Sequence, residues 1–170
     1  ADGFCIAASE FDGEPHLVVL LEDLRRFMTV TMETPETPSG YPIRLRRRVP
    51  DATPAGHAEA HAIRVRDTGC ELEAGDMDAL RRAVFYLEDE MTARRAPLLP
   101  LGEVRRSTPL AVRIVRSPIA PYRWLSGWEL EDPHDYYPES FLARLAHDGI
   151  NGLWIPGLLR RMVATRILSE

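Results

Sequence analysis

The chain has 170 residues, 45% of them hydrophobic and 28% charged, and carries a formal net charge of −5. That length supports a real core in one or two small domains, and the composition is that of an ordinary globular protein. The negative balance sets up no global field for nucleic acid, and no apolar run approaches the ~18–20 residues that span a bilayer.

Leu17, Leu20, Leu21, Leu24, Phe27 and Met28 recur at helical spacing and predict an amphipathic helix over 17–33. The stretch TPETPSGYP (34–42) ends it, because proline cannot continue a helix. From Tyr41 to Val49 the residues alternate. Tyr41, Ile43, Leu45 and Val49 share one face, and Arg44, Arg46 and Arg48 the other, as in a half-buried strand. A second strand, 59–66, sets His61, Ile63 and Val65 opposite Arg64 and Arg66. Asp67-Thr68-Gly69 is turn chemistry, and Cys70, Leu72 and Ala74 continue as its hairpin partner.

The clearest helix follows at 76–94. Asp76 is a natural N-cap, and Met77, Leu80, Val84, Leu87 and Met91 form an i, i+3, i+4 stripe. Arg94 and Arg95 suit a helix C-terminus. PLLPLGE (97–103) reads as a loop and 110–116 as a further strand of the same sheet. Helix, strands, helix and strand in this order suggest a small layered α+β domain.

Ser117-Pro118 marks a boundary. Beyond it a strand is expected at 122–129. A helix follows, opened by Pro138 with Phe141, Leu142 and Leu145 inward and closed by Gly149. A strand at 152–155 and an amphipathic helix at 158–168 complete the pattern. Strand, helix, strand is how a parallel α/β barrel begins, and such a barrel needs about 250 residues.

The segments AHAIRVRDTGCELEAGDMDALRRAVFYLEDEM, YRWLSGWEL and YYPESFLARLAHDGINGLWI together resemble the family-20 glycoside hydrolases, the β-hexosaminidase group, over about residues 40–155. The resemblance implies a hexosaminidase-type accessory domain (1–117) followed by the first βα units of a (β/α)₈ barrel (118–170), a fold of class α+β. It also implies that the catalytic Asp-Glu pair follows a later strand, so catalytic residues are expected beyond residue 170. Where that family carries a sugar-gripping arginine after the first strand, this chain has His134. Where the second strand there carries histidine and aspartate, this chain reads Trp154-Ile155-Pro156-Gly157.

Barrel enzymes keep their chemistry at the C-terminal ends of strands. That nominates Trp128 to stack on a sugar face, Glu129 to bond its hydroxyls, and His134 beside them as substrate-binding residues; rim packing and solvation are the plain alternatives. Glu131, Asp132 and Asp135 share that loop, and paired carboxylates are what glycoside hydrolysis uses, but a proline-flanked acidic stretch reads first as a loop. His57 and His61 have i, i+4 spacing, yet a metal motif needs a helix and a third ligand, so no metal is expected. Arg44, Arg46 and Arg48 read as a solvated strand face, the more so because all 21 basic residues are arginine, as GC-rich coding would produce. Cys5 and Cys70 form neither a disulfide framework nor a metal motif.

The expectation is therefore a fragment of a glycoside-hydrolase-like protein acting on carbohydrate and inactive by itself. The alternative is a non-catalytic carbohydrate-binding or protein-interaction module. No cofactor, nucleic acid or membrane is expected. A homo-oligomer is, with Trp124, Leu153 and Trp154 near the contact. No signal peptide is visible, the missing initiator Met suggests processing or trimming, and localisation stays open.

Overall fold

A computed structural model describes residues 3–116 and 137–154. They fall in two compact units, one ending at Ala111 and one beginning at Val112. The first holds β1 (Phe4–Ala7), α1 (Leu17–Arg26), β2 (Tyr41–Arg47), β3 (Ala58–Arg66), β4 (Gly69–Ala74), α2 (Met77–Arg94) and β5 (Gly102–Thr108). The second holds β6 (Ile114–Arg116), α3 (Glu139–His147) and β7 (Gly152–Trp154). The class is α+β.

In the first unit five strands form one sheet in the order β1-β2-β4-β3-β5. β1, β2 and β4 pair parallel, whereas β3 runs antiparallel to both β4 and β5. The crossovers β1–α1–β2 and β4–α2–β5 therefore step the same way across the sheet. Because such crossovers are right-handed, both helices fall on one face. Leu20, Leu24 and Met28 from the α1 region and Leu80, Leu87 and Met91 from α2 pack there against Ile43, Leu45 and Leu72 in one buried cluster.

α2 matches its expectation closely. The Asp76 carboxylate accepts from Ala79 N at 2.8 Å, and Arg95 ends the helix in the left-handed region at φ 52°. Leu80 and Leu87 are fully buried. Truncating either to alanine is expected to destabilise the first unit by about 2–5 kcal/mol, as deletion of a buried leucine does. Denaturant midpoints equal to the parent's would show those positions to be non-essential.

Other expectations need correction. The helix expected over 17–33 is α-helical only to Arg26, and Phe27–Thr31 is wound as a π-turn. There Met32 N reaches back to Phe27 O, and Thr29 Oγ1 donates to Arg25 O, widening the last turn. β2 stops at Arg47, its last ladder bond running from Arg48 N to Ala74 O, and Val49 beyond it is exposed rather than inward. The stretch 110–116 does not join this sheet: Ile114–Arg116 pairs parallel with β7 in a separate two-stranded sheet. The outer place beside β3 goes to β5, part of which reads as loop in sequence. β1 was also invisible in sequence. It is admitted because Gly40 lies so close that a Cβ there would sit 2.5 Å from Phe4 N.

The second unit is a strand, a helix and a parallel strand. Pro138 is the N-cap of α3 rather than a residue of its first turn, and Gly149, at φ 88°, follows its end. Asn151 Oδ1 accepts from Arg113 N at 2.8 Å, which holds the start of β6 beside the entry to β7. No residue of α3 is buried, and Leu142, expected inward, is exposed. Trp154 is exposed too, with the Arg116 guanidinium 5.5 Å from its ring centroid. The expected strand at 122–129 and helix at 158–168 lie outside the described residues.

Candidate functional site

Trp128, Glu129 and His134, with Glu131, Asp132, Asp135 and Trp124, also lie outside the described residues. What can be stated of them is their place in the chain. They fall between Arg116, the last residue of β6, and Glu139, the first of α3.

Within the first unit, the sheet face away from the helices is a lattice of charge. Cross-strand neighbours there are Arg44 with Glu71, Arg46 with Glu73, Ala62 with Glu73, and Arg64 with both Glu71 and Glu103. Arg46 reaches Glu10 at 2.7 Å, Arg48 reaches Asp51 at 2.7 Å, and Arg64 bonds Glu73 as well as Glu103 at 2.9 Å. The hydrogen bond from Arg46 holds the Glu10 carboxyl below the usual range, and that from Arg105 does the same for Glu103. The arginines of β2 and β3 thus meet carboxylates of the same unit. Segment 48–57 is tied onto this face where Arg105 Nη1 donates to Asp51 O at 2.8 Å. Beneath it Glu73 is buried, and its Oε2 has no hydrogen-bond partner among the described residues.

The two histidines singled out by spacing lie at and before β3, not on a helix. His57 Nδ1 is 2.8 Å from Ser107 Oγ, and His61 Nδ1 is 2.8 Å from Glu59 O. The second contact gives the neutral ring an Nδ1–H donor and leaves Nε2, buried without a partner among the described residues, as the acceptor. Burial lowers the His61 pKa most, and Arg82 and Arg106 push in the same direction. Glu59 sits at φ 52° where the β3–β5 register slips, so this edge carries a bulge. Among the described residues, no three His, Cys, Asp or Glu side chains converge to hold a metal ion.

A cavity of about 350 Å³ opens between the N-terminal ends of β2 and β4 and the last turns of α2. Phe4, Met28, Ile43, Leu87 and Met91 line it, with Arg66 and Asp67 also at its wall. At its wall Tyr41 Oη donates to Arg66 O at 2.6 Å, and burial pushes the Cys70 thiol up to about 12. A thiol with so little thiolate is no nucleophile. The cavity is an apolar hollow without a catalytic pair. Among the described residues no helix is long and apolar enough to cross a membrane.

Neither protein-family models nor curated proteins match the chain. Among solved structures it is similar to one described as a GH138 enzyme targeting pectin rhamnogalacturonan II, with a TM-score of 0.65 and 13% sequence identity. The similarity covers 97% of this chain and 26% of that one, so this chain spans about a quarter of that enzyme's length. At such identity the likeness is one of fold, and it runs through both units.

Proposed function

We propose that this chain is a piece of a glycoside-hydrolase-like protein acting on carbohydrate, an α+β accessory unit followed by the first βα steps of a (β/α)₈ barrel. The observation that carries the reading is connectivity: β6 and β7 pair parallel, with α3 between them in sequence. This is the repeating step of a barrel, and barrel active sites are built on the loops that follow each strand. In this reading the C-terminal end of the strand expected at 122–129, with the residues that follow it, makes the first such loop. Trp128 would stack on a sugar ring, with Glu129 and His134 bonding its hydroxyls. The fold likeness to a glycoside hydrolase supports the same assignment, while kinship with family 20 in particular rests on the sequence resemblance alone.

Hydrolysis requires two carboxyl groups held across the scissile bond, about 5–5.5 Å apart for retention or 6.5–9.5 Å for inversion. A barrel brings such groups together only when its strands close. The 170-residue polypeptide is therefore expected to bind oligosaccharide without cleaving it. Tryptophan fluorescence titration with rhamnogalacturonan II fragments and with N-acetylglucosamine oligomers tests the binding, and chromogenic glycosides test the turnover. Trp128→Ala should weaken binding about five- to tenfold, the ~1–1.5 kcal/mol of a well-placed aromatic contact. Binding unaffected by that change would defeat the site assignment, and turnover above the blank would defeat the claim of incompleteness.

A further inference from the structure

β5 is an edge strand. Among the described residues its strand pairing is with β3 alone, and its Glu103, Arg105 and Arg106 are exposed. Its outer rim therefore offers backbone N–H and C=O groups unpaired among the described residues, an edge that proteins usually defend with charge. Here the charges are arranged to be self-complementary. We infer that this edge pairs antiparallel with β5 of a second copy, about a two-fold axis at Val104, into one continuous sheet.

The register follows from the sequence GEVRRST (102–108). With Val104 opposite Val104, Glu103 of each copy faces Arg105 of the other, twice by symmetry. Opposite residues in an antiparallel pair point to the same face, and Glu103 and Arg105 do share one, the charged face. The pleat allows the register to move only so that facing residues still share a face. The two neighbouring registers put Glu103 on Glu103 or Arg105 on Arg105, and both are repulsive. Charge thus selects one pairing rather than forbidding all.

The other contacts fit. Arg106 is engaged over the Tyr86 ring at 4.6 Å, and the residue opposite it in the second copy would be Gly102. A Cβ built at Gly102 meets nothing within 4 Å, so that side is open. Glu103 already accepts from Arg64 and from Arg105 of its own chain, and in the dimer it would keep Arg64 and exchange its own Arg105 for that of the second copy. Leu98 and Leu110, equally spaced along the chain from Val104, are both more than 60% exposed. One strand edge buries little area, so the association is of the weak, concentration-dependent kind.

Sedimentation of the full 170-residue chain over a range of concentrations tests this. The parent should show a monomer–dimer equilibrium. Glu103→Arg and Arg105→Glu should each weaken it by about tenfold or more, because each replaces two attractive pairs with two repulsive ones. An equimolar mixture of the two variants should associate as strongly as the parent. One strand then carries two basic side chains at positions 103 and 105 and the other two acidic ones, so both facing pairs are attractive again. Misfolded variants would not regain association on mixing, so that result separates a lost contact from a lost fold. A parent that stays monomeric at every concentration overturns the inference. So does self-association that survives either single reversal, which would point to another surface such as exposed Trp154, and so does a mixture that fails to associate.

Discussion

Arg64→Ala is expected to destabilise the first unit by about 3 kcal/mol, the lower end of the range for breaking a buried ion pair. The side chain of Arg64 is 15% exposed and that of Glu73 only 6%, and the two are bonded to each other. Removing the guanidinium leaves a carboxylate beneath segment 48–57 whose other oxygen already lacks a partner among the described residues. Arg48, 3.9 Å away, would compensate only in part, which keeps the expected cost at the lower end. The hydrogen bonds that Arg64 donates to Glu103 and Glu73 also hold it more firmly protonated than a free guanidinium, so the pair does not relax by losing the arginine's proton. Replacing both partners, Arg64→Met with Glu73→Leu, should cost much less, because no buried charge is orphaned. Denaturant unfolding of the two single variants and the double closes the cycle. A double variant as unstable as Arg64→Ala would show that the packing of the arginine stem, not the charge, is what matters.

Glu88→Gln is expected to stabilise the first unit at pH 8 by up to about 3 kcal/mol and to leave it nearly unchanged at pH 4. Glu88 is 6% exposed on α2, and its pKa is raised from 4.5 to about 7. Burial is the main cause, followed by Asp23 of α1 and neighbouring Asp89, with Arg26 of α1 opposing. A carboxyl whose folded pKa exceeds its unfolded one keeps its proton longer in the folded state. The unfolded chain ionises first, so stability falls as pH rises from about 4.5 to 7 and then levels off. The difference between variant and parent isolates this group from others that titrate in the same range. Parallel stability–pH curves would show that Glu88 is solvated or otherwise compensated in the folded protein.

The elements legible in sequence are those whose own residues carry the reason for their form. α2 has a cap, a stripe and a stop within its own length, and the β3–β4 hairpin has alternation on both sides of Asp67-Thr68. The charged face was legible as alternation of Arg44, Arg46 and Arg48, but not as a lattice, because Glu10, Glu73 and Glu103 come from distant parts of the chain. His61 was legible as sharing a strand face with Ile63 and Val65; the bulge at Glu59 beside it was not. Of the candidate site, the sequence nominates Trp128, Glu129 and His134 by their place after a strand. The parallel pairing of β6 with β7 was not legible, because β6 reads in sequence as part of the first domain.

By itself, then, the sequence determined α2, the start of α1, the central hairpin and the α+β class, because period and capping act within a few turns of chain. Tertiary structure alone decided which strands are neighbours. β5, with one half-buried residue between charged ones, is a strand because β3 offers it a hydrogen-bonding edge. β1 is a strand because Gly40 lets β2 approach it. Ile114–Arg116 left the first sheet because its partner, Gly152–Trp154, lies far along the chain. Strand pairing is made between backbones remote in sequence, and nothing in the local pattern of three or seven residues encodes which backbone that will be.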